Sequence, residues 1–536
     1  MPLSFRYFIF VALSCFCLIN CAKRGSITGG PKDETPPELL RVTPPNKSTN
    51  FKAKEIRLTF DELITLNKPD RQVLISPPMK NKPEIKPAGT ASKTVKIKIL
   101  DTLLPNTTYT INFGNSIVDY NEKNPFAFFQ YVFSTGNELD SLKFKGSVKD
   151  AFKQKLDKNI SVFLYEENEE ITDSIVYNEL PRYISSTLDS TEFQFSYLKE
   201  GKYKLIAIKD ENRDYKFDPK KDKIGYLEKS ISIPEDTIAT LSIFKEKLDF
   251  KFSRAKQTSK NKFEIGYFGD LENPTVEILG KFPDTLKFET LLLQDPKKDT
   301  LNFWVKPFFE QDSIVFKVTA NKVIDTLVSR YKDQYKDSLN LVSLETTLKL
   351  DQPFKISANT PIGKLNKNQL SLIDQDTLPV NFTQKWDALK NEISIDFPKK
   401  ENSKYALQVL PNALTDFLGN VNNDTITYIL NTLENSAYGN LTLNFNNRKN
   451  DTPLIIQLLK SDKVEEEVIL TNSNTIDFRG LKPGSLNIRV ITDTNGNGKW
   501  DTGSYLKKIQ PEPIFYFEKQ LMIRANWDIK QDIDLK

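Results

Sequence analysis

"EIRLTF", residues 55–60, places Ile56, Leu58 and Phe60 on one side of an extended chain and Glu55, Arg57 and Thr59 on the other. Successive side chains of a strand point to opposite faces, so the alternation reads as a strand with one buried face. The same period of two returns in "KTVKIKI" (Val95, Ile97, Ile99), "EISIDF" (Ile393, Ile395, Phe397) and "NLTLNF" (Leu441, Leu443, Phe445). Pro, Asn, Asp and Gly punctuate these runs, and the pattern predicts antiparallel β-sandwiches throughout. Only "IDTLVSRYKDQYKDSL", residues 324–339, offers room for a short helix.

Two internal repeats organise the strands. "YTINFGNSIVDYNEKNPFAFFQYVFST" (109–135) aligns with "YALQVLPNALTDFLGNVNNDTITYILNT" (405–432). Both run strand, Asn, aliphatic, Asp, aromatic, polar turn and strand, and close on Ser-Thr or Asn-Thr. With "IRLTFDELI" as an opening strand, this resembles the bacterial Ig-like domain of S-layer proteins (the SbsA type). The last two strands of that domain flank an aliphatic-x-Asp-x-x-Gly-Asn turn. Asp416, Gly419 and Asn420 fit it; in the first copy Asp119 fits, while Asn121-Glu122 replaces Gly-Asn. The resemblance implies Ig-like domains at 39–136 and 346–433.

The second repeat sets "FSYLKEGKYKLIAIKDENRDYKFD" (195–218) on "FRGLKPGSLNIRVITDTNGNGKWD" (478–501) without a gap. Its "LKEGKYKL" strand, with "GSVKDAF…ISVFLY" before it, resembles the carboxypeptidase-regulatory or transthyretin-like β-sandwich. The C-terminal copy opens on "YGNLTLNFNN…LIIQLL". This implies sandwiches at 139–236 and 436–536, leaving 237–345 as a further β-rich domain of no recognised family. The expected architecture is an all-β, multi-domain string of Ig-like and transthyretin-like sandwiches.

Within the second repeat, acidic and amide residues alternate: Asp493, Asn495 and Asn497, with Asp501 beyond, and Asp210, Asn212 and Asp214, with Asp218 beyond. Calcium takes hard oxygen ligands, and alternate positions of a curling loop converge on the ion. The spacing resembles the D-x-N-x-D-G-x-x-D calcium loops of adhesin repeats, which implies a structural calcium staple. Ser504 and Lys221 stand where a bidentate Glu closes an EF-hand loop. The alternative is a hydrophilic hairpin that needs no ion, since Asn-Gly and Asp-Asn pairs suit tight turns. On sequence alone both readings stand.

The first 21 residues, "MPLSFRYFIFVALSCFCLINC", combine Arg6 with an apolar run from Tyr7 to Ile19. That run is shorter than the ~20 residues of a membrane span and suits an export signal. "Leu18-Ile19-Asn20-Cys21" resembles the bacterial lipobox, with Asn20 where a small residue is usual. It implies removal of 1–20, diacylation of Cys21 and a membrane attachment through that lipid. Ala22 follows the cysteine in place of an inner-membrane retention Asp, which favours the outer membrane, and "AKRGS" lacks an acidic export tag, which leans toward its periplasmic face. "CAKRGSITGGPKDETPPE", residues 21–38, is Gly/Pro-rich and reads as a tether. With the "QPEPIFYFEKQLMIRANWDI" ending, it resembles Ig-like lipoproteins of Gram-negative bacteria.

Composition narrows the function. Lys+Arg number 75 against 71 Asp+Glu, a net charge of +4 over 536 residues, with the signs interspersed. No basic stripe for nucleic acid results. There is no histidine, and the three cysteines, Cys15, Cys17 and Cys21, all lie in the first 21 residues. That removes Ser-His-Asp and Cys-His catalysis, imidazole and thiolate metal sites, and disulfides in the domains. The reading is a non-enzymatic envelope lipoprotein whose modules space or bind an envelope protein. An alternative is a glycan-binding accessory using Trp304, Trp386 or Trp500 as an aromatic platform; a carboxylate-pair hydrolase would need no histidine but no pair stands out.

Finally, Asp-(Ser/Thr)-aliphatic or -Thr triplets recur at Asp101, Asp140, Asp173, Asp189, Asp236, Asp284, Asp299, Asp312, Asp325, Asp337, Asp376 and Asp424. They resemble acceptor triplets for periplasmic O-glycosylation; the other reading is turn chemistry before a strand.

Overall fold

The computed structural model describes residues 32–168, 172–283, 285–309, 311–343, 345–448 and 452–535. The expected signal, Cys21 and the tether as far as residue 31 lie outside the described residues. Among those described, strands run from Leu39 to Asp534, and the α-helices are the single turns Pro69–Gln72 and Ile175–Asn178. The helix expected within 324–339 is not formed. Val323–Arg330 is a strand paired with Ser313–Ala320, because Leu327 and Ser329 alternate into the interior and Tyr331 follows them there.

The chain divides into two compact units: 1–147, 158–206 and 229–240 form the first, and 148–157, 207–228 and 241–536 the second. In the first unit, Glu55–Leu66 is the central strand of an Ig-like sandwich. It sets Ile56 against Ile97 and Leu58 against Val95 on Ser92–Lys98. A register break between Thr59 and Ile64 frees its far end to pair with Ile117–Asp119. The facing sheet is Leu74–Ser76, Thr108–Asn112 and Gln130–Ser134. Ile56, Leu58, Phe60, Val95, Ile97, Ile111 and Phe133 meet in the core between them. Each such fully buried side chain contributes roughly 1.5–3 kcal/mol, so the period-two pattern of the opening hexapeptide fixes which face turns inward.

The second sandwich begins in the same unit, with Ser161–Glu166 between Tyr183–Ser186 and Gly201–Lys209. Opposite it, Glu192–Leu198 pairs with Leu142–Asp150, bringing Phe195 to Phe144 and Phe193 to Gly146. A Cβ at Gly146 would lie 2.3 Å from Ala239 O, so the glycine lets the neighbouring strand approach.

The second unit holds three cores. Lys262–Phe268 and Thr300–Lys306 face Ser313–Ala320 over Phe252, Phe263, Ile265, Phe303 and Phe316. The next sandwich pairs Glu392–Asp396 with Phe354–Ala358 and Lys404–Val409 with Ile426–Thr432. Leu341–Ser343 joins it as an edge strand on Phe354–Ala358, so its chain starts slightly before residue 346. In the last sandwich the closing residues Asp528–Asp534 pair in parallel with Gly439–Asn446. Asn440, Asn444 and Asn446 donate side-chain hydrogen bonds to Asp528, Asp532 and Asp534 along that ladder.

Candidate functional site: the duplicated acidic turn

Both copies of the acidic turn leave the end of a core strand, Gly201–Lys209 or Gly484–Thr492. The first residue after each strand, Asp210 or Asp493, is buried. Its carboxylate turns back on its own loop. Asp210 Oδ1 accepts the N–H of Arg213 at 2.5 Å and Oδ2 that of Tyr215 at 2.8 Å. Asp493 Oδ1 accepts Gly496 N–H at 2.7 Å and Asn497 N–H at 3.1 Å, and Oδ2 accepts Gly498 N–H at 2.8 Å. The donors stand three and five residues on in each copy. At those positions φ is positive: 58° and 63° at Arg213 and Tyr215, 72° and 74° at Gly496 and Gly498. Glycine adopts that conformation freely, whereas other residues lose roughly 1–2 kcal/mol. A Cβ at Gly496 would meet nothing within 4 Å, so Gly496→Ala tests the backbone alone. It is expected to destabilise the last module by about 1–2 kcal/mol, read as a lower urea midpoint.

A second carboxylate closes each turn, and no spacing rule pointed to it. Asp222, fully buried, accepts the N–H groups of Glu211 at 2.9 Å and Asp218 at 2.8 Å. Glu512, 6% exposed, accepts those of Thr494 at 2.6 Å and Asp501 at 3.0 Å. The donors again correspond, one and eight residues beyond Asp210 or Asp493. The acceptors do not: the C-terminal copy carries extra residues before Glu512, which breaks the alignment just after Asp501.

The remaining expected calcium ligands have other partners. Lys221 Nζ donates to Asn212 Oδ1 at 2.9 Å, placing an ammonium where a cation's ligand oxygen would be. Asp214 and Asp218 accept the N–H groups of Lys216 and Lys220. Asn495 and Asn497 both turn their amide NH₂ groups to Asp501 Oδ2, at 2.6 Å each. Among the described residues no group of three or more acidic side chains gathers as a metal site would require. In this arrangement the eight residues are satisfied within their own turns, the carboxylates accepting N–H groups and the Asn495 and Asn497 amides bonding to Asp501, as the hydrophilic-hairpin reading expects. Millimolar calcium is expected to leave the melting temperature of the full chain unchanged.

The segment that follows the second turn docks on the second sandwich. Within the second unit, residues 500–516 of the last sandwich lie against 148–157, 224–226 and 244–246. Trp500 packs on Phe152 with ring centroids 4.7 Å apart, and the Arg489 guanidinium lies 4.3 Å from the centre of the same ring. Tyr505 meets Tyr226 edge-on at 5.2 Å. Thr502 Oγ1 donates to Lys245 O at 2.6 Å, Gln510 Nε2 to Tyr226 O at 3.3 Å, and Tyr516 OH to Phe152 O at 2.6 Å. Thr502, Tyr505 and Gln510, from the stretch where the alignment breaks, supply part of this contact.

Residues 33–135 match the bacterial Ig-like domain. The match covers the segment that carries the first Tyr109–Thr135 repeat. No curated protein matches the chain. Among solved structures, domains 1–6 of the surface layer protein SbsC are similar at 12% identity, covering 92% of this chain and 67% of that one, with a TM-score of 0.16. The eight N-terminal Ig domains of Down syndrome cell adhesion molecule share 8% identity over 91% of this chain and 69% of theirs, with a TM-score of 0.14. The Bacillus anthracis TIE protein shares 11% over 95% and 76%, with a TM-score of 0.14. The likeness is one of fold.

The repeats that begin at Tyr109 and Tyr405 share their hydrogen-bonded anchors. Asp119 accepts the N–H groups of Glu122, Lys123 and Asn124; Asp416 accepts both the N–H and the side-chain amide of Asn420. Tyr109 OH accepts Leu104 N–H at 2.8 Å and Tyr405 OH accepts Lys400 N–H at 2.8 Å. The closing threonines match as well: Thr135 Oγ1 accepts Thr107 N–H and donates to Leu104 O, as Thr432 Oγ1 does with Ser403 and Lys400. Burial raises the Asp119 carboxyl, but its backbone donors outweigh this and hold it below the ordinary 3.8. A lowered carboxyl stabilises the fold above its unfolded value and loses that contribution as pH falls through the folded value. The first Ig-like domain is therefore expected to lose urea resistance below about pH 4, and Asp119→Asn to flatten that dependence.

The tryptophans do not make a common platform. Trp304 is 4% exposed, on the face of its strand opposite the core residues Leu301, Phe303 and Val305 and beneath Lys262, and Trp500 is packed on Phe152 with its Nε1 donating to Glu512 O at 3.0 Å. Trp386, on an edge strand, stays partly open.

Proposed function

We propose that this chain is a non-enzymatic lipoprotein of the bacterial envelope, held at the outer membrane by acylated Cys21, whose sandwiches act as spacers and protein-binding modules. The observation that carries the reading is the pairing of a lipobox-like segment and Gly/Pro tether with duplicated β-sandwich modules. The absence of histidine and of cysteine beyond Cys21 supports it. So does the use of the buried carboxylates Asp210, Asp222, Asp493 and Glu512, each engaged by backbone N–H groups of its own turn. Labelling with radioactive palmitate tests the anchor: incorporation by the native chain and none by Cys21→Ala is expected. Crosslinking on membranes followed by co-purification tests the binding role, with an envelope protein as the expected partner.

The same reading includes O-glycans on the Asp-Ser/Thr triplets. In eleven of the twelve the Ser or Thr is exposed, Thr300 being the half-buried exception. Ser141, Thr237 and Thr425 sit immediately before strands, at turns where a glycan would stand clear of the sheet. Intact mass spectrometry of the native lipoprotein decides it: a mass equal to that of the lipidated polypeptide removes the glycans from the proposal.

A further inference from the structure

A groove of about 730 Å³ lies in the first unit between the Ig-like sandwich and the sheet that carries Glu192–Leu198. Phe128 stands at its rim, 68% exposed. The turn holding it contains three phenylalanines, and two of them, Phe126 and Phe129, pack against the first core. Phe128 is turned the other way by a φ of 57°, fixed by its N–H donating to Gly114 O at 2.8 Å. An aromatic residue is strained in that region, and an exposed ring gains no burial to offset it. Strain retained at an exposed ring marks a site of use rather than of stability. No equivalent aromatic occupies the second Ig-like copy, where Asn423-Asp424-Thr425 precedes the last strand.

Ile238, also 68% exposed, adds a second apolar point to the lining. The rest is largely polar, with Asn115, Lys145 and Gln194 all exposed. On the lining, Ser185 Oγ is engaged by donating to Gln194 O. Recognition therefore falls to amides, hydroxyls, an ammonium, the carboxylates of Asp189 and Glu192 and one aromatic face. A sugar ring presents the matching groups, an apolar C–H face and equatorial hydroxyls, to a site of convergent polar groups beside an aromatic. We propose that this groove binds an uncharged oligosaccharide, with a ring face on Phe128 and its hydroxyls bonded by Asn115, Lys145 and Gln194.

Calorimetric titration of the full chain with the tetramers of N-acetylglucosamine and of α-1,4-glucose tests this. Saturable binding of at least one is expected. Phe128→Gly, which also relieves the backbone, is expected to weaken it about ten-fold or more while the melting temperature holds or rises. Trp386→Ala and Trp527→Ala, at exposed indoles elsewhere, are expected to leave it unchanged. Absence of heat with both sugars overturns the proposal. So does binding that survives Phe128→Gly, or a groove that takes up an unstructured peptide pool and neither sugar.

Discussion

Asp222→Ala is expected to cost the second sandwich roughly 2–5 kcal/mol, because it strips two buried N–H groups of their acceptor at once. Asp222 has no solvent exposure, so water cannot replace the carboxylate without opening the turn. Hydrogen exchange checks it locally: the Glu211 and Asp218 amides should lose their protection in the variant, and Lys220→Ala beside them should change nothing. Glu512→Ala is expected to do the same to the Thr494 and Asp501 amides. Two carboxylates of different length, at positions that do not align, then prove to have one role. Preserved protection at all four amides would show that the second carboxylate is dispensable. The 210–222 turn should also respond to pH, in the sense opposite to Asp119. Burial pushes Asp210 and Asp222 above the ordinary 3.8, more than their backbone donors pull them down. Folding thus favours their protonated forms, and their contribution is present at low pH and lost as pH rises through the raised values. Amide protection in the 210–222 turn should increase as the solution is acidified from neutral toward pH ~4, where the first Ig-like domain begins to weaken.

Gly503→Ala should separate the two turn-bearing ends without unfolding either sandwich. A Cβ there would lie 2.6 Å from Ile509 O and 2.7 Å from the Phe244 ring. One of these is backbone of the inserted segment and the other belongs to the surface on which it docks. Overpacking of this kind costs about 1–3 kcal/mol, which is large against a contact made of a few rings and hydrogen bonds. Amine crosslinks joining Lys245 to Lys508 should form in the native chain and fall away in the variant. The Gly484–Thr492 strand should keep its hydrogen-exchange protection. Retention of the crosslink would mean that the docked arrangement tolerates the methyl group and does not depend on close approach at residue 503.

Much of this molecule is written in short stretches of its chain. The alternation in 55–60, 93–99, 392–397 and 440–445 fixes strands and their inward faces, since a one-residue slip would expose every apolar side chain of a strand. The Tyr109 and Tyr405 repeats announce a common domain because the residues that matter (the Asp of the turn, the tyrosine and the closing threonine) bond within about thirty positions of one another. The Asp210 and Asp493 turns are legible for the same reason. Their acidic spacing suits an ion or a plain hairpin, and in the structure the leading carboxylate of each gathers backbone donors at positive φ. A ligand set and a nest of N–H groups both call for an acidic residue at the head of a tight loop, which is why the spacing alone admits either.

Other features depend on residues far apart and have no local trace. Asp222 and Glu512 share a role across an insertion. Asp528–Asp534 finds a parallel partner nearly ninety residues upstream, at Gly439–Asn446. Trp304 looks on sequence like any aromatic that could serve a surface, and neighbours that only the fold brings to it, Lys262 among them, cover it. Phe128 is the converse case, one of three phenylalanines in four residues, pushed into solvent by a single backbone angle. The sequence by itself determined the strands, their buried faces and the duplications, because those follow from side-chain periodicity and short-range bonding. The tertiary structure alone decided which carboxylate closes each turn, which rings are open and where the last sandwich docks. These depend on contacts paid for by burial between distant segments, and no periodicity along the chain records them.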